Sequence, residues 1–246
     1  MPIIYLSPST QENNLYVNGG SEEEWMNRLA DAMIPYLEAT GIRYSRNTPD
    51  MTAASSIRAS NAGNYDLHLA LHSNASPEGE YGQNRGVLVF HYPGSVQGTK
   101  AATIMADHLR EIYPLPDKVR VEPTRTIGEV RLTRAPSVFL ELGYHDNLDD
   151  AVWVQSNLDP IARTIVQALA EYFQIPFLAP NAPRQGVVDV SWGHLNIRSR
   201  PSLSAPVIAK AYDGAILTIL NQWQDWYLVS FDGTEGYASA DFITLV

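Results

Sequence analysis

The chain has 246 residues, enough for one large domain or two smaller ones, and its 45% apolar and 18% charged content is that of a globular protein. Its formal charge of −10, with 17 Lys and Arg against 27 Asp and Glu, excludes a nucleic-acid binder, which needs a basic patch. There is no cysteine, hence no disulfide, thiolate metal site or cysteine nucleophile, and no run of about eighteen apolar residues that would span a membrane.

The N-terminus, MPIIYLSPS, has no basic segment, apolar core or cleavage site and reads as a first strand, Ile3–Leu6, rather than a secretory signal. A helix fits Glu22–Ala39. Ser21 is its N-cap, Glu22, Glu23 and Glu24 fill the first turn, and Met26, Leu29, Ala30, Met33 and Leu37 form an apolar stripe before Gly41. The stretch DLHLALHSNAS follows, with Leu67, Leu69 and Leu71 alternating against Asp66, His68, Ala70 and His72. This strand delivers an imidazole, His72, to its carboxyl end. Further strands are expected at Gly86–Tyr92 and Ser137–Gly143, and helices near Ala101–Ile112 and Leu158–Phe173. Strands separated by helices indicate an α/β domain with a mostly parallel sheet flanked by helices, whose sites gather at the carboxyl ends of strands.

Beyond the last helix, IPFLAPNAPRQG holds three prolines and no periodicity, and marks a boundary. Short strands punctuated by Asp213-Gly214 and Asp232-Gly233 then predict a small all-β barrel. The expected organisation is a domain over residues 1–178, a linker over 179–187 and a barrel over 188–246.

Three features can carry chemistry: His72, the Glu22–Glu24 cluster, and Glu141, a carboxylate inside the apolar run VFLELG. Neutral imidazole and carboxylates are the ligands of catalytic zinc, which keeps one position open for water. Each residue also has a plainer role. A histidine at a strand end serves as a hydrogen-bonded core group, and acids in a first helical turn complement the helix dipole. Glu141 is harder to dismiss, because burying a carboxylate without a partner is costly. His68 cannot readily share a metal with His72, since four strand residues separate their backbones by roughly 13 Å at about 3.3 Å each. It is read as a satisfied polar group or a substrate contact.

In order and spacing, these segments resemble the zinc-dependent N-acetylmuramoyl-L-alanine amidases of the amidase_3 type, over about residues 3–175. Leu71–Ala75 (L-H-S-N-A) is similar to that family's I-H-A-N-A, and Leu140–Asn147 (L-E-L-G-Y-H-D-N) to its L-V-E-x-G-F-x-S-N. Asn61, Asp66, Gly86-Val87 and Ala135-Pro136 fall at matching places. The resemblance implies a zinc cofactor with His72 and Glu22 as ligands, Glu23 being the alternative to Glu22. It implies Glu141 as the catalytic carboxylate; Asn74, His68 and His145 are the candidate substrate contacts. The family's opening D-P-G-H-G is replaced by S-P-S-T-Q-E-N-N from Ser7, so that Thr10 stands where a ligand histidine is expected. Gln11, beside it, is the candidate third ligand, although an amide oxygen binds zinc more weakly than imidazole.

The tail resembles a bacterial SH3 domain: Leu195–Ser202 reads L-N-I-R-S-R-P-S, close to that family's L-N-V-R-S-G-P-S. Trp192, Trp223, Trp226 and Tyr227 supply either an aromatic surface or core. The joint implication is a peptidoglycan hydrolase acting at the bacterial cell wall. It would cleave the amide between N-acetylmuramic acid and L-alanine of the stem peptide, while its SH3 domain holds wall stem or cross-bridge peptide. Without a visible leader, such an enzyme would stay cytoplasmic until released by lysis or phage-style delivery, unless a leader has been trimmed. The alternative is a wall-binding protein whose amidase fold has lost its metal, an option raised by Thr10.

Overall fold

The computed structural model describes all 246 residues, which divide into two compact units. One comprises Ile3–Ile34 and Tyr44–Tyr172, and the other Met1–Pro2, Pro35–Arg43 and Phe173–Val246.

The first unit is built on strands β1 (Ile3–Pro8), β2 (Arg43–Arg46), β3 (Leu67–Asn74), β4 (Val87–His91), β5 (Val119–Pro123) and β6 (Ser137–Tyr144). Its helices are α1 (Glu22–Thr40), whose residues from Pro35 onward belong to the other unit, α2 (Ala53–Ala62), α3 (Val96–Ile112), α4 (Gly128–Arg131), α5 (Leu148–Ser156) and α6 (Leu158–Phe173). The strand order is β2-β1-β3-β6-β4-β5. Pairs β1–β3, β3–β6 and β4–β5 are parallel, and β4–β6 is antiparallel, which makes the sheet mixed. The expected alternation in β3 holds. Leu67, Leu69 and Leu71 are buried together with Ile4, Leu6, Met26, Leu29 and Met33.

Local chemistry sets the helix starts. Ser21 Oγ accepts from the Glu24 amide at the head of α1. Thr52 and Ser55 form a reciprocal capping box on α2. Ser95 caps α3, which therefore begins several residues before the stretch read from the apolar pattern. Gly86, before β4, has φ 135° and donates its N–H to Asp150. A Cβ there would stand 2.6 Å from the Lys118 carbonyl oxygen, so only glycine fits.

The second unit carries a seven-stranded sheet in the order β13-β7-β10-β11-β12-β8-β9. The strands are β7 (Arg184–Val188), β8 (Leu195–Arg198), β9 (Val207–Ala211), β10 (Ile216–Trp223), β11 (Trp226–Phe231), β12 (Thr234–Ser239) and β13 (Ile243–Leu245). Val188, Leu195, Ile197, Leu217, Ile219, Tyr227, Val229 and Ile243 form its core. Residues 184–187, read as the end of a linker, pair with β10 and β13 as strand β7. Gly186 makes this possible, since a Cβ there would meet Ile243 at 2.5 Å. A second cluster within this unit joins Leu178 to Leu228 and Tyr237, with Met1, Leu220, Trp223 and Trp226 against it. The aromatic residues thus separate. Tyr227 is core, whereas Trp192 is 88% exposed and lines a cavity of about 760 Å³ with Trp226 and Phe242.

Candidate active site

The site lies at the carboxyl ends of the two central parallel strands. In the β3–β6 register, His68 stands opposite Ser137, Ala70 opposite Phe139, and His72 opposite Glu141, so these side chains share one face of the sheet. Tyr5 and Ser7 of β1 continue the same rows. The face is therefore a polar stripe set in an apolar sheet, and every polar group on it needs a partner.

His72 finds two. Its Nδ1 lies 2.7 Å from Glu22 Oε1, and its Nε2 lies 3.2 Å from Glu129 Oε2. The ring stacks on Phe139 with centroids 4.2 Å apart. Glu22, the first residue of α1, is 1% exposed, and its second oxygen accepts from Asn14 Nδ2 at 2.6 Å. Glu23 takes no part in this contact; its backbone carbonyl is bonded by Asn27. Of the two candidate helix carboxylates, Glu22 is the one brought to His72.

Gln11 arrives at the same point. Its Nε2 lies 3.3 Å from His72 Nδ1 and 3.4 Å from Glu22 Oε1, while its Oε1 accepts from Asn14 Nδ2 at 3.0 Å. Thr10 lines a cavity of about 410 Å³ on the Glu129 side of His72.

The electrostatics follow from these contacts. Burial opposes charge on His72, but hydrogen bonds to Glu129 and Glu22 outweigh it and push its pKa up to about 10. Burial likewise opposes ionisation of Glu129, yet the hydrogen bonds from His68 and His72 bring it down to about 2. Glu22 is also lowered, the His72 contact overcoming desolvation. Glu141 goes the other way. Burial raises it to about 8, the charge on His72 only partly offsetting this and that on Glu22 adding to it. Its Oε2 is buried and has no hydrogen-bond partner. An unsatisfied buried carboxylate oxygen within β6 is costly, which marks Glu141 as a candidate for chemistry.

Glu129 was not foreseen. It sits on α4, a four-residue helix too short to show a period, and it is 5% exposed. Its Oε1 accepts from Ser7 Oγ at 2.5 Å and faces His68 Nε2 at 3.2 Å. The sequence did hold an indirect signal: two histidines on a buried strand face call for a buried counter-charge, and the remaining acids had to supply it.

His68 is fully buried, stacks on Tyr5, and bonds Ser60 Oγ through Nδ1 at 3.0 Å. With no exposed surface it is a satisfied polar group, and the reading of it as a substrate contact is corrected. His145 is buried too, with Nδ1 3.1 Å from the Ser73 carbonyl oxygen. Asn74 is partly exposed and uses its Oδ1 on the following backbone N–H. The H-D-N-L-D-D segment anchors the loop after β3. Asp146 accepts from the Ser76 and Gly82 amides, Asn147 donates to the Gly82 carbonyl, and Asp150 takes the Arg85 guanidinium and the Gly86 amide.

Residues 193–244 match the bacterial SH3 domain family, and residues 9–171 match the N-acetylmuramoyl-L-alanine amidase family called Amidase_3. The chain belongs to the N-acetylmuramoyl-L-alanine amidases. Solved structures with the same fold include the amidase AmiC2 of Nostoc punctiforme, at 15% identity, TM-score 0.61, and coverage of 70% of this chain and 97% of that one. The catalytic domain of the amidase CwlV from Bacillus (Paenibacillus) polymyxa var. colistinus aligns at 14% identity and TM-score 0.62, covering 72% of this chain and 100% of that one. An amidase from Clostridium difficile 630 aligns at 14% identity and TM-score 0.62, covering 70% and 97%. Comparison with curated protein sequences gives no significant match.

The family is generally zinc-dependent. No three His, Asp or Glu side chains are grouped so as to hold a metal ion in this structure. One imidazole nitrogen, one carboxylate oxygen and the Gln11 carboxamide nevertheless converge within 3.4 Å, with the orphaned Glu141 oxygen among the neighbouring groups. Two donors of a zinc site are thus present, His72 Nδ1 and Glu22 Oε1, while Gln11 presents its amide nitrogen there and its oxygen to Asn14. No helix is long and apolar enough to cross a membrane.

Proposed function

We propose that the chain hydrolyses peptidoglycan by cutting the amide between N-acetylmuramic acid and L-alanine of the stem peptide. The observation that carries this reading is Glu141, a part-buried residue whose buried Oε2 has no hydrogen-bond partner, on the strand beside His72. His72 Nδ1, Glu22 Oε1 and the Gln11 carboxamide would hold zinc, and Asn14 would keep Glu22 in place through its other oxygen. Zinc bound there would supply Lewis acidity to the scissile carbonyl and to water. Glu141 would take the proton of the attacking water and return it to the leaving amine. Its raised pKa suits a group that must both accept and donate near neutral pH. Asn74, at the end of β3 and partly exposed, remains available to substrate.

The SH3 domain would keep the catalytic unit on its polymer by binding wall stem or cross-bridge peptide, with Trp192 and Trp226 at the contact. The wall is accordingly the proposed place of action.

A second reading draws on Gln11, whose amide nitrogen rather than oxygen faces Glu22 and His72. In that reading the Gln11 N–H₂ group stands where a cation would, and the protein binds wall without cutting it. Digestion of purified peptidoglycan decides between them. New L-alanine amino termini support the hydrolase. Their absence with a zinc-loaded protein, together with retained binding to sacculi, supports the binding protein.

A further inference from the structure

The cavity of about 410 Å³ beside His72 lies between the end of β1, the start of α2 and the start of α4, and Asn47 in its wall is a buried polar group that is only half satisfied. Asn47 follows β2 directly and is 4% exposed. Its backbone N–H donates to the Leu6 carbonyl, and its Nδ2 donates to the Pro8 carbonyl at 2.9 Å and to Ser56 Oγ at 3.0 Å. A carbonyl only accepts, so the atom facing Pro8 is the nitrogen and the other terminal atom is the oxygen. That oxygen, Oδ1, is buried and has no hydrogen-bond partner. We propose that this cavity is the subsite for the acetamido group of the muramoyl residue, whose N–H donates to Asn47 Oδ1. The assignment rests on the reading of the chain as a peptidoglycan amidase, and adds to it the part of the substrate held on this side of the site.

An acceptor already removed from water gains from any donor that reaches it. The charges decide which donor. No lysine or arginine lines the cavity, and His72 is engaged by Glu22 and Glu129. A stem-peptide carboxylate would therefore meet Glu129 with no free counter-ion. The N-acetylated sugar brings no charge. An acetamido group has one N–H, one carbonyl and one methyl, and the lining has a match for each. Asn47 Oδ1 takes the N–H, the Thr10 hydroxyl serves the carbonyl, and Met51, Ile127 and Phe139 cover the methyl. Thr10 stands where the family pattern has an imidazole, so this wall offers the ligand a hydroxyl in place of a metal-binding group. Gln11 and His72 also line the cavity, which places it next to the reacting centre. In muramic acid the acetamido group and the lactyl ether sit on neighbouring ring carbons, so a subsite for the first must adjoin the scissile amide.

Titration calorimetry of the whole protein tests this with two ligands. One is N-acetylmuramoyl-L-alanine with its scissile amide replaced by an uncleavable ketomethylene, and the other is the same compound with hydrogen in place of the acetamido group. Anything the SH3 domain contributes through the peptide part is common to both and cancels in the ratio. The acetamido ligand should bind about 5–100-fold more tightly. The ratio should fall to near one in Asn47→Ala, and in Ala53→Trp, which fills the cavity from an exposed position in its lining. A wild-type ratio near one overturns the proposal, as does an unchanged ratio in folded Asn47→Ala. If Asn47→Ala does not fold, Ala53→Trp decides in its place, and an unchanged ratio there overturns the proposal. Digestion of purified peptidoglycan keeps the two readings apart: the expected ratio without cleavage leaves the subsite standing and removes the hydrolase, whereas cleavage with a ratio near one does the reverse.

Discussion

Glu141→Gln should make the metal-free protein more stable at alkaline pH while destroying its activity. In the folded state the carboxyl is held at about 8 against an ordinary 4.5, because burial penalises its charged form more than His72 relieves it. Below about pH 4.5 the group is protonated in both folded and unfolded chains and contributes nothing to the pH dependence. Between 4.5 and 8 the unfolded chain has lost its proton and the folded one keeps it, so stability falls as pH rises, and the loss levels off above 8. A gap of about 3.5 in pKa, at about 1.4 kcal/mol each, sets a ceiling of about 5 kcal/mol on that loss. Glutamine has no proton to lose and removes the slope. Urea unfolding at pH 5 and pH 8.5 in the presence of a chelator measures it in both proteins, and the difference isolates Glu141 from every group they share. Hydrolysis of purified peptidoglycan should fall by about 10²–10⁴-fold in the variant, as for loss of a general acid–base. Parallel pH dependences in the two proteins would refute the burial argument. Near-normal turnover would remove Glu141 from the chemistry.

His72→Ala should abolish tight zinc binding, and it should cost about 3–5 kcal/mol at neutral pH because Glu22 and Glu129 lose their shared cation; unchanged zinc affinity would take His72 out of the metal site. Trp192→Ala should weaken binding to wall sacculi about tenfold or more and change stability by less than about 0.5 kcal/mol, since the ring is 88% exposed. Undiminished sacculus binding would move the contact elsewhere on the domain. Truncation after Pro183 should leave a folded but weakened chain. It strips the cover from Leu178, whose burial against Leu228 and Tyr237 is worth about 1.5–3 kcal/mol, and it removes the Asn221 bonds to the Ala39 and Ala179 carbonyls. A truncated chain with no cooperative thermal transition would show that the two parts do not have separate cores.

The legible parts of this protein were those with a period or a cap. Leu67, Leu69 and Leu71 alternate, Met26, Leu29 and Met33 recur on one side of α1, and Ser21 announces its start; all of these appear as read. The unread elements lacked a clear period, even where, as at Thr52 before α2, a cap was present. β2 is four residues long and α4 likewise, while α2, with Ala, Ser and Asn on most of its surface, shows only a weak apolar stripe. The boundary before the SH3 domain was read from prolines, but residues 184–187 pair as strand, because pairing depends on what β10 and β13 present and not on local composition. At the site, His72 and Glu141 were visible because each breaks an apolar pattern, and Glu22 because it opens α1 in an acidic cluster. Glu129 broke none. It lies in T-I-G-E-V-R, where an acid looks at home in a solvent-exposed turn, and only the tertiary placement of α4 over the sheet buries it.

That placement bears on how a site can work with a ligand histidine replaced. The resemblance assigns the family a pair of imidazoles and a carboxylate; this chain keeps one imidazole and one carboxylate and surrounds them with further fixed partners. Glu129 adds a second negative charge 3.2 Å from His72, one hydrogen bond removed from the point where Gln11, Glu22 and His72 meet. A dication there would be balanced by Glu22 and Glu129 together, with His72 neutral and Glu141 free to exchange its proton. Gln11 contributes no charge and needs none.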